Sequence, residues 1–271
     1  MPTIQVNGTE LYYELHGPEN ADVLVLSNGV LMSTASWGLQ TPALSRNSCP
    51  EARGNRLLLY DCRGMWRSAH PSGPYTMELH ADDLAALLDA LSIEKAHIGG
   101  ISYGAELSMA FAIKYPARTR SLILSSAVSH SDPVLEGLIG GWISAARMKD
   151  AQLLYQVSYP LNFSDRYIAA NRAAIEAAAE RYKLLDMDAV LELLLCFSRL
   201  NITSELNRII APTLVLVGEQ DILKPRKYSE IIAREIPGAE LVVVPDAGHA
   251  LCLEQPGLFN ALVLGFLARQ T

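Results

Sequence analysis

The sequence predicts an α/β fold: a mostly parallel sheet of eight strands, helices on both faces of the sheet, and an inserted helical lid. Short apolar runs ending in Gly, Ser or Asp alternate with helical patterns, which is typical of parallel strands covered by helices. Half of the 271 residues are apolar, so the chain can bury a large core without disulfides or metals. One long stretch, residues 129–209, has no convincing strand and interrupts this alternation.

Eight apolar runs are predicted to be strands, because most of them are too short to form helices. They cover residues 4–6, 11–16, 23–26, 57–60, 96–98, 122–124, 214–217 and 241–244. Together they make a large open sheet.

Leucines at positions 84, 87, 88 and 91 recur with helical spacing and predict an amphipathic helix after Tyr75 and Thr76. A second helix is predicted over residues 103–114, ended by Pro116, and a last one after Pro256.

Residues 129–209 are expected to form several successive helices. We interpret them as a lid inserted into a core made of residues 1–128 and 210–271. The segment 190–197 is apolar on more than one face, so it is expected to pack on two sides, either against a substrate pocket or within the lid. Gly140 and Gly141 are a candidate lid hinge.

Charge and cysteine usage exclude several classes of function. With 22 basic and 29 acidic residues the net charge is -7, which opposes binding to nucleic acid and to anionic membranes. The four cysteines, at 49, 62, 196 and 252, are scattered and form neither a zinc motif nor a redox pair. Because the chain also lacks a secretory signal and a membrane span, a cytoplasmic location is expected.

The segment Gly100-Ile101-Ser102-Tyr103-Gly104 follows an apolar strand and runs directly into a helix. This arrangement is a nucleophile elbow, with Ser102 on the tight turn. Neighbouring chain segments must pass so close that positions 100 and 104 cannot bear a side chain. The pattern alone is only suggestive, and its strand-turn-helix context strengthens it.

A serine hydroxyl needs an imidazole to take its proton and a carboxylate to orient that imidazole. His249 and Asp221 each follow a predicted strand, so the chain order is Ser102, Asp221, His249 at the carboxyl ends of strands. Glu219 and Asp246 are competing carboxylates. Asp221 could instead cap a turn or a helix.

Acyl transfer also needs two N–H donors for the tetrahedral oxyanion. One is the amide of Tyr103, at the positive end of its helix. We assign the second to the amide of Val30, in the sharp loop after the strand 23–26; the alternative is an ordinary strand-to-helix turn.

Other constellations give weaker signals. His80, Asp82 and Asp83 could be imagined as a metal site, but we expect them to form a solvated polar helix face. Cys252 is expected to be packed rather than to line the site. No dinucleotide motif is present, so neither a cofactor nor a metal is predicted.

Together these stretches resemble the α/β-hydrolase superfamily over nearly the whole chain. In that superfamily the strand before the oxyanion loop usually ends in His-Gly, whereas this chain has Asn28-Gly29, a variant similar to enol-lactone hydrolases and rhamnolipid-type acyltransferases. Trp66 stands where the turn that follows Asp61 usually has glycine, so that loop is expected to be rebuilt. The long stretch from Ser45 to Asn55 has no assigned function.

The resemblance implies a cofactor-free serine hydrolase that cleaves carboxylic esters with small to medium hydrophobic acyl groups. Its only predicted partner is a small-molecule ester or acyl substrate. An acyltransferase that joins an acyl thioester to a hydroxyacid, a lactonase or thioesterase, and a non-catalytic ligand receptor are the alternatives.

Overall fold

A computed structural model describes residues 2–45 and 54–270. Each of the eight predicted strands is present, and all of them join one sheet. The strands are β1 Thr3–Val6, β2 Thr9–His16, β3 Val23–Ser27, β4 Arg56–Tyr60, β5 Ala96–Ile101, β6 Thr119–Ser125, β7 Thr213–Gly218 and β8 Glu240–Val244. Most of the Ser45 to Asn55 stretch lies outside the described residues.

The sheet has the order β1-β2-β4-β3-β5-β6-β7-β8 and is mostly parallel. Only β1–β2 and β2–β4 pair in the antiparallel direction. Asn7 and Gly8 form the tight β1–β2 turn, and both have positive φ (45° and 70°), which favours a two-residue hairpin turn. The predicted fold class is confirmed.

The strand order reverses between β3 and β5, which are neighbours in the sheet. After β3 the chain moves outward to β4, and after β5 it continues in the opposite direction to β6. Ser27 at the end of β3 lies beside Gly100 near the end of β5. In parallel α/β sheets a crevice opens at such a point, beyond the carboxyl ends of the strands.

Helices cover both faces of the sheet, and the predicted helices are present. They are α1 Thr41–Leu44, α2 Met77–Ala90, α3 Tyr103–Lys114, α4 Pro133–Arg147, α5 Ala151–Asn162, α6 Asp165–Tyr182, α7 Met187–Ser198, α8 Arg226–Glu235, α9 Leu251–Glu254 and α10 Pro256–Leu267. Alternate strand residues face opposite sides, so Val25 belongs to the core cluster that includes α2, α3 and α8, whereas Leu24 belongs to the cluster that includes α1, α9 and α10.

Helices α4 to α7 lie between β6 and β7, in the stretch predicted to be helical. Its two ends are tied together by an antiparallel bridge between His130 and Asn201. The predicted hinge is wrong, because Gly140 and Gly141 lie inside the continuous helix α4. The break in regular helix geometry lies instead at Asn171 of α6 (φ -121°, ψ 21°).

In the part of the chain that the structure describes, no helix is both long enough and apolar enough to cross a membrane. Cys62, Cys196 and Cys252 are buried free thiols, and Cys49 lies outside the described ranges. Burial raises the pKa of Cys62 and of Cys252 to about 12, which favours packing over reactivity.

The predicted solvated face of α2 is wrong. His80 and Asp83 are buried, because Arg63 and helix α3 cover them. Arg63 Nη2 lies 2.7 Å from Asp83 Oδ1, and the Tyr103 hydroxyl lies 2.8 Å from His80 Nε2. Asp82 pairs with a lysine of α3. Residues 2–45 and 54–270 contain no cluster of His, Cys, Asp and Glu suited to a metal.

Because two histidines are buried, we expect the protein to lose stability in acid. Burial, aided by the Arg63 charge, lowers the pKa of His80 to about 3, and burial lowers the pKa of His97 to about 4. Both imidazoles titrate near ~6.5 in an unfolded chain. The folded state therefore binds fewer protons below that pH, and the free energy of unfolding falls as the pH drops from about 6.5 towards about 4.

The variant His97→Asn tests this, because asparagine can still hydrogen bond to Ser121 but takes up no proton in this range. Urea unfolding measures the change in the free energy of unfolding between about pH 7 and pH 5. We expect that change to be smaller in the variant by about 1–2 kcal/mol. Equal changes in the two proteins would contradict the assignment.

Candidate active site

Ser102 lies on a sharp turn between β5 and α3. Its backbone has φ 55° and ψ -123°, a conformation that is unfavourable for a residue with a side chain. The turn is held by a hydrogen bond from the Ser102 N–H to the Ser125 carbonyl (2.8 Å) and by one from the Ala105 N–H to the Ser102 carbonyl (2.8 Å). Ser102 consequently lies at the carboxyl edge of the sheet and lines a cavity there.

Glycine is needed on both sides of this turn, as the sequence predicts. A Cβ at Gly100 would lie 2.5 Å from the carbonyl carbon of Gly104 and 2.8 Å from the carbonyl oxygen of Ser27. A Cβ at Gly104 would collide with the carbonyl of Ser27. The close approach of β3 to the start of α3 therefore depends on these two residues.

We expect Gly104→Ala to lower the free energy of unfolding by more than about 2 kcal/mol, because the backbone of β3 or α3 must move. Gly140→Ala is the matched control, since nothing lies within 4 Å of a Cβ at that helical position. Alanine there should be neutral or stabilise by up to about 1 kcal/mol. Denaturant unfolding measures both, and equal stabilities of the two variants would contradict this account.

His249 and Asp221 meet in loops that follow β8 and β7. His249 Nδ1 lies 2.9 Å from Asp221 Oδ2, and both side chains are buried. The two competing carboxylates, Glu219 and Asp246, are exposed, and among the hydrogen bonds of the described residues neither reaches the imidazole. Of the three candidate acids, Asp221 is the one in contact with His249.

Ser102 and His249 line the same cavity. In the hydrogen bonds formed by residues 2–45 and 54–270, none joins the Ser102 hydroxyl to the imidazole. The hydroxyl instead accepts a hydrogen bond from Lys224 Nζ at 3.1 Å. Hydrogen bonds of a catalytic relay are often formed only when substrate is bound.

Lys224 and Glu106 are site residues that the sequence prediction missed. Both are buried, and Lys224 Nζ lies 2.7 Å from Glu106 Oε1. Burial raises the pKa of Glu106, and the Lys224 charge acts in the opposite direction. The available signal was a single acidic residue four positions after Ser102, in the mostly apolar helix α3. A buried charge requires a partner.

The loop after β3 is anchored by Asn28, the residue found where the superfamily usually has histidine. Its side chain donates to the Tyr60 carbonyl (3.0 Å) and to Asp61 Oδ1 (2.9 Å), and accepts from Trp37 Nε1 (2.8 Å). Asp61 Oδ1 also accepts from the Thr34 N–H at 2.8 Å. These bonds fix both ends of the loop that contains Val30.

The amides proposed as oxyanion donors are both available. Neither the Val30 N–H nor the Tyr103 N–H donates a hydrogen bond to another residue that the structure describes. Val30 and Ser102 line the cavity together, and Tyr103 is the first residue of α3. Unpaired N–H groups at such a position suit a developing negative charge.

Trp66 has a backbone conformation that is usual for glycine. It has φ 43°, in the left-handed region where glycine is favoured. That the loop is rebuilt relative to the family stays a prediction. The Trp66 indole lines the cavity, and the Arg181 guanidinium of α6 lies 5.2 Å from the ring centre, which links the helical insertion to the core.

Two cavities flank Ser102. The larger has a volume of about 270 Å³. Its lining is mostly apolar and includes His249 and residues of α4 to α6: Trp142, Tyr155, Tyr159, Tyr167, Ile175 and Tyr182. The smaller has a volume of about 20 Å³ and lacks His249. It is lined by Val30, Ser102, Tyr103, Ile139, Trp142, Leu194, Phe197, Leu223 and Lys224.

Comparisons with known proteins identify the family of this chain. A family model described as the alpha/beta hydrolase fold matches residues 22–256. The chain belongs to the α/β hydrolase family.

Several proteins similar to this chain are hydrolases by name. A Caulobacter protein with the provisional name carbamate hydrolase RutD is 30% identical, with 95% of this chain and 96% of the relative covered. The enol-lactonase of Burkholderia xenovorans superimposes with a TM-score of 0.91 at 27% identity, covering 98% of this chain and 100% of its own. A thermophilic esterase of Thermogutta terrifontis gives 0.89 at 27% identity, covering 100% and 99%.

These similarities support hydrolase activity as the general function of the protein. The likeness to enol-lactone hydrolases that Asn28-Gly29 predicts is confirmed by the enol-lactonase structure.

Proposed function

We propose that this protein is a cofactor-free serine hydrolase that cleaves carboxylic esters through an acyl-enzyme formed on Ser102. The observation on which the proposal rests is the contact of 2.9 Å between His249 Nδ1 and Asp221 Oδ2, in a cavity that His249 shares with Ser102. That contact presents the other imidazole nitrogen, Nε2, as a base.

In the proposed mechanism the Ser102 O–H bond breaks and its proton moves to His249 Nε2, while Oγ bonds to the ester carbonyl carbon. The carbonyl electron pair moves onto oxygen, and the amides of Val30 and Tyr103 donate hydrogen bonds to the oxyanion. Asp221 holds the imidazole and stabilises its charged form.

Collapse of this intermediate breaks the bond to the leaving oxygen, which receives the proton from His249. Water then repeats the sequence on the acyl-enzyme: it gives a proton to His249, bonds to the acyl carbon and releases Ser102, whose oxygen recovers the proton. The acid and the alcohol are the products, and no cofactor or metal is part of the proposal.

The position of His249, which must protonate the leaving oxygen, indicates which half of the ester each cavity binds. The leaving oxygen must face His249, so we place the alcohol half in the larger apolar cavity. The acyl half then points into the smaller cavity, between Leu194 and Phe197. A volume of about 20 Å³ holds a group little larger than a water molecule. Acetyl and propionyl esters are accordingly the proposed substrates, at the short end of the predicted acyl range.

Helices α4 to α7 form the lid in this proposal, and residues 1–128 and 210–271 form the core. The lid contributes the aromatic wall of the larger cavity, including Tyr155 and Tyr159. An apolar wall excludes water from the alcohol half and suits a hydrophobic group there.

Carbamate esters are a second candidate class of substrate. A carbamoyl group has nearly the shape of an acetyl group, so the small cavity admits it on the same argument. The name of the Caulobacter relative points to the same chemistry. Acyl transfer from a thioester to a hydroxyacid stays a prediction from the sequence, and an assay with and without hydroxyacid distinguishes it by the amount of transfer product.

The nucleophile assignment predicts that Ser102→Ala lowers kcat on p-nitrophenyl acetate by on the order of 10³-fold or more, because the acyl-enzyme can no longer form. Ser144→Ala is the matched control, since Ser144 is an exposed serine of α4 that lines neither cavity. Its kcat should stay within about twofold of the wild type. Retention of most activity by Ser102→Ala would refute the assignment.

Labelling by a fluorophosphonate shows whether the protein is a serine enzyme or a ligand receptor with the same fold. We expect a covalent adduct at Ser102, located by peptide mass spectrometry, because the reagent reacts with an activated serine. Folded protein that shows no adduct would favour a receptor.

If the smaller cavity binds the acyl group, the protein should prefer esters with short acyl chains. Across p-nitrophenyl acetate, butyrate and octanoate, which share one leaving group, kcat/KM should fall by about tenfold or more. Leu194→Ala should raise the rate on butyrate relative to acetate, because it enlarges the small cavity. Leu253→Ala, in the larger cavity, serves as the control. A preference for octanoate would contradict the assignment.

A further inference from the structure

A buried ammonium group touches the nucleophile. Lys224 Nζ lies 3.1 Å from Ser102 Oγ and 2.7 Å from Glu106 Oε1. It also lies 4.6 Å from the centre of the Phe197 ring, in the wall of the small cavity. The ammonium therefore faces a hydroxyl, a carboxylate and an aromatic ring, and it is only 2% exposed.

Burying an ion pair carries a desolvation cost. Removing two charges from water is expensive, and replacing a buried ion pair by apolar residues is often neutral or stabilising. Glu106 Oε1 has a second donor, the Val128 N–H at 3.0 Å, whereas its Oε2 has no hydrogen-bond partner in the described part of the chain. Stability alone is therefore a weak explanation for a charged pair at this position.

Lys224 also contacts the other end of the proposed relay. Its backbone N–H donates to Asp221 Oδ1 at 2.8 Å, while Asp221 Oδ2 faces His249. The four residues 221–224 thus place a carboxylate against the imidazole and an ammonium against the hydroxyl. Glu106, on the helix that begins directly after the nucleophile, pairs with that ammonium.

We propose that Lys224 is a further catalytic residue, which stabilises negative charge on Ser102 Oγ while the hydroxyl proton is on His249. Glu106 is its positioning residue. This inference rests on the proposed serine mechanism and adds to it a charge that the relay of Ser102, His249 and Asp221 does not provide.

The ammonium acts in both halves of the reaction without transferring a proton. In acylation the Ser102 proton goes to His249, and Lys224 stabilises the charge on Oγ as the bond to the acyl carbon forms. In deacylation the bond from Oγ to the acyl carbon breaks, and the same hydrogen bond stabilises Oγ as the leaving group until it regains a proton from His249. An ammonium paired with a carboxylate has no free electron pair, so Lys224 is not the base.

The test uses the double variant Lys224→Met and Glu106→Gln. Methionine fills a similar volume without charge, and glutamine keeps an acceptor for the Val128 N–H, so neither side chain is left as an unpaired buried charge. The single variant Lys224→Met would leave Glu106 buried without its partner. A fall in its activity could then come from lower stability as well as from the loss of the ammonium at Ser102. The exposed Lys227, which pairs with Asp132, provides the matched control Lys227→Met.

We expect the double variant to keep a melting temperature close to that of the wild type. Its rate of Ser102 labelling by an uncharged fluorophosphonate and its rate of deacylation should each fall by about 10- to 100-fold. Lys227→Met should match the wild type in both rates. The deacylation rate is measured from the decay of acetyl-enzyme, which a purely structural role of Lys224 would leave unchanged.

A folded double variant with wild-type labelling and deacylation rates would overturn the proposal. Should that variant unfold, the double variant Lys224→Gln and Glu106→Gln, which keeps a hydrogen-bond donor at position 224 but leaves no buried charge, makes the same measurement, with the same expected losses. Failure of the serine mechanism itself gives a different result, because wild-type protein would then form no adduct at Ser102.

Discussion

The backbone of Ser102 is the constraint on which the rest of the site depends. Its positive φ puts the side chain at the carboxyl edge of the sheet, and the two flanking glycines let β3 and α3 approach closely enough to hold it there. The same approach brings the loop that contains Val30 close to the first turn of α3. The strain of about 1–3 kcal/mol at such a residue is offset by the packing around it.

Buried charge is concentrated at this edge of the sheet. Two buried pairs lie there: Asp221 contacts His249, which lines a cavity together with Ser102, and Glu106 pairs with Lys224, which contacts the Ser102 hydroxyl. Both rely on the short loop after β7, and both need protein partners because water is excluded. In the proposed function, the apolar lining of the two cavities leaves the ester little polar contact except with the groups that act on it.

The sequence predicted the strands, the helix Tyr103–Lys114 and the contact of Asp221 with His249, because hydrophobic periodicity and the ends of parallel strands constrain them strongly. It missed Lys224 and Glu106, whose meeting depends on the packing of α3 against a loop more than a hundred positions away. The prediction for the face of α2 that contains His80 and Asp83 was wrong for the same reason. Polar residues in a sequence do not show whether they will face water or a partner such as Arg63.

The central claim is a covalent acyl-enzyme on Ser102, and direct trapping tests it. Purified protein mixed with p-nitrophenyl acetate, quenched in acid within the first turnovers and digested, should give an acetylated peptide whose modified residue is Ser102. Continued release of acetate with no acetyl group on Ser102, or with the acetyl group on another side chain, would contradict the account.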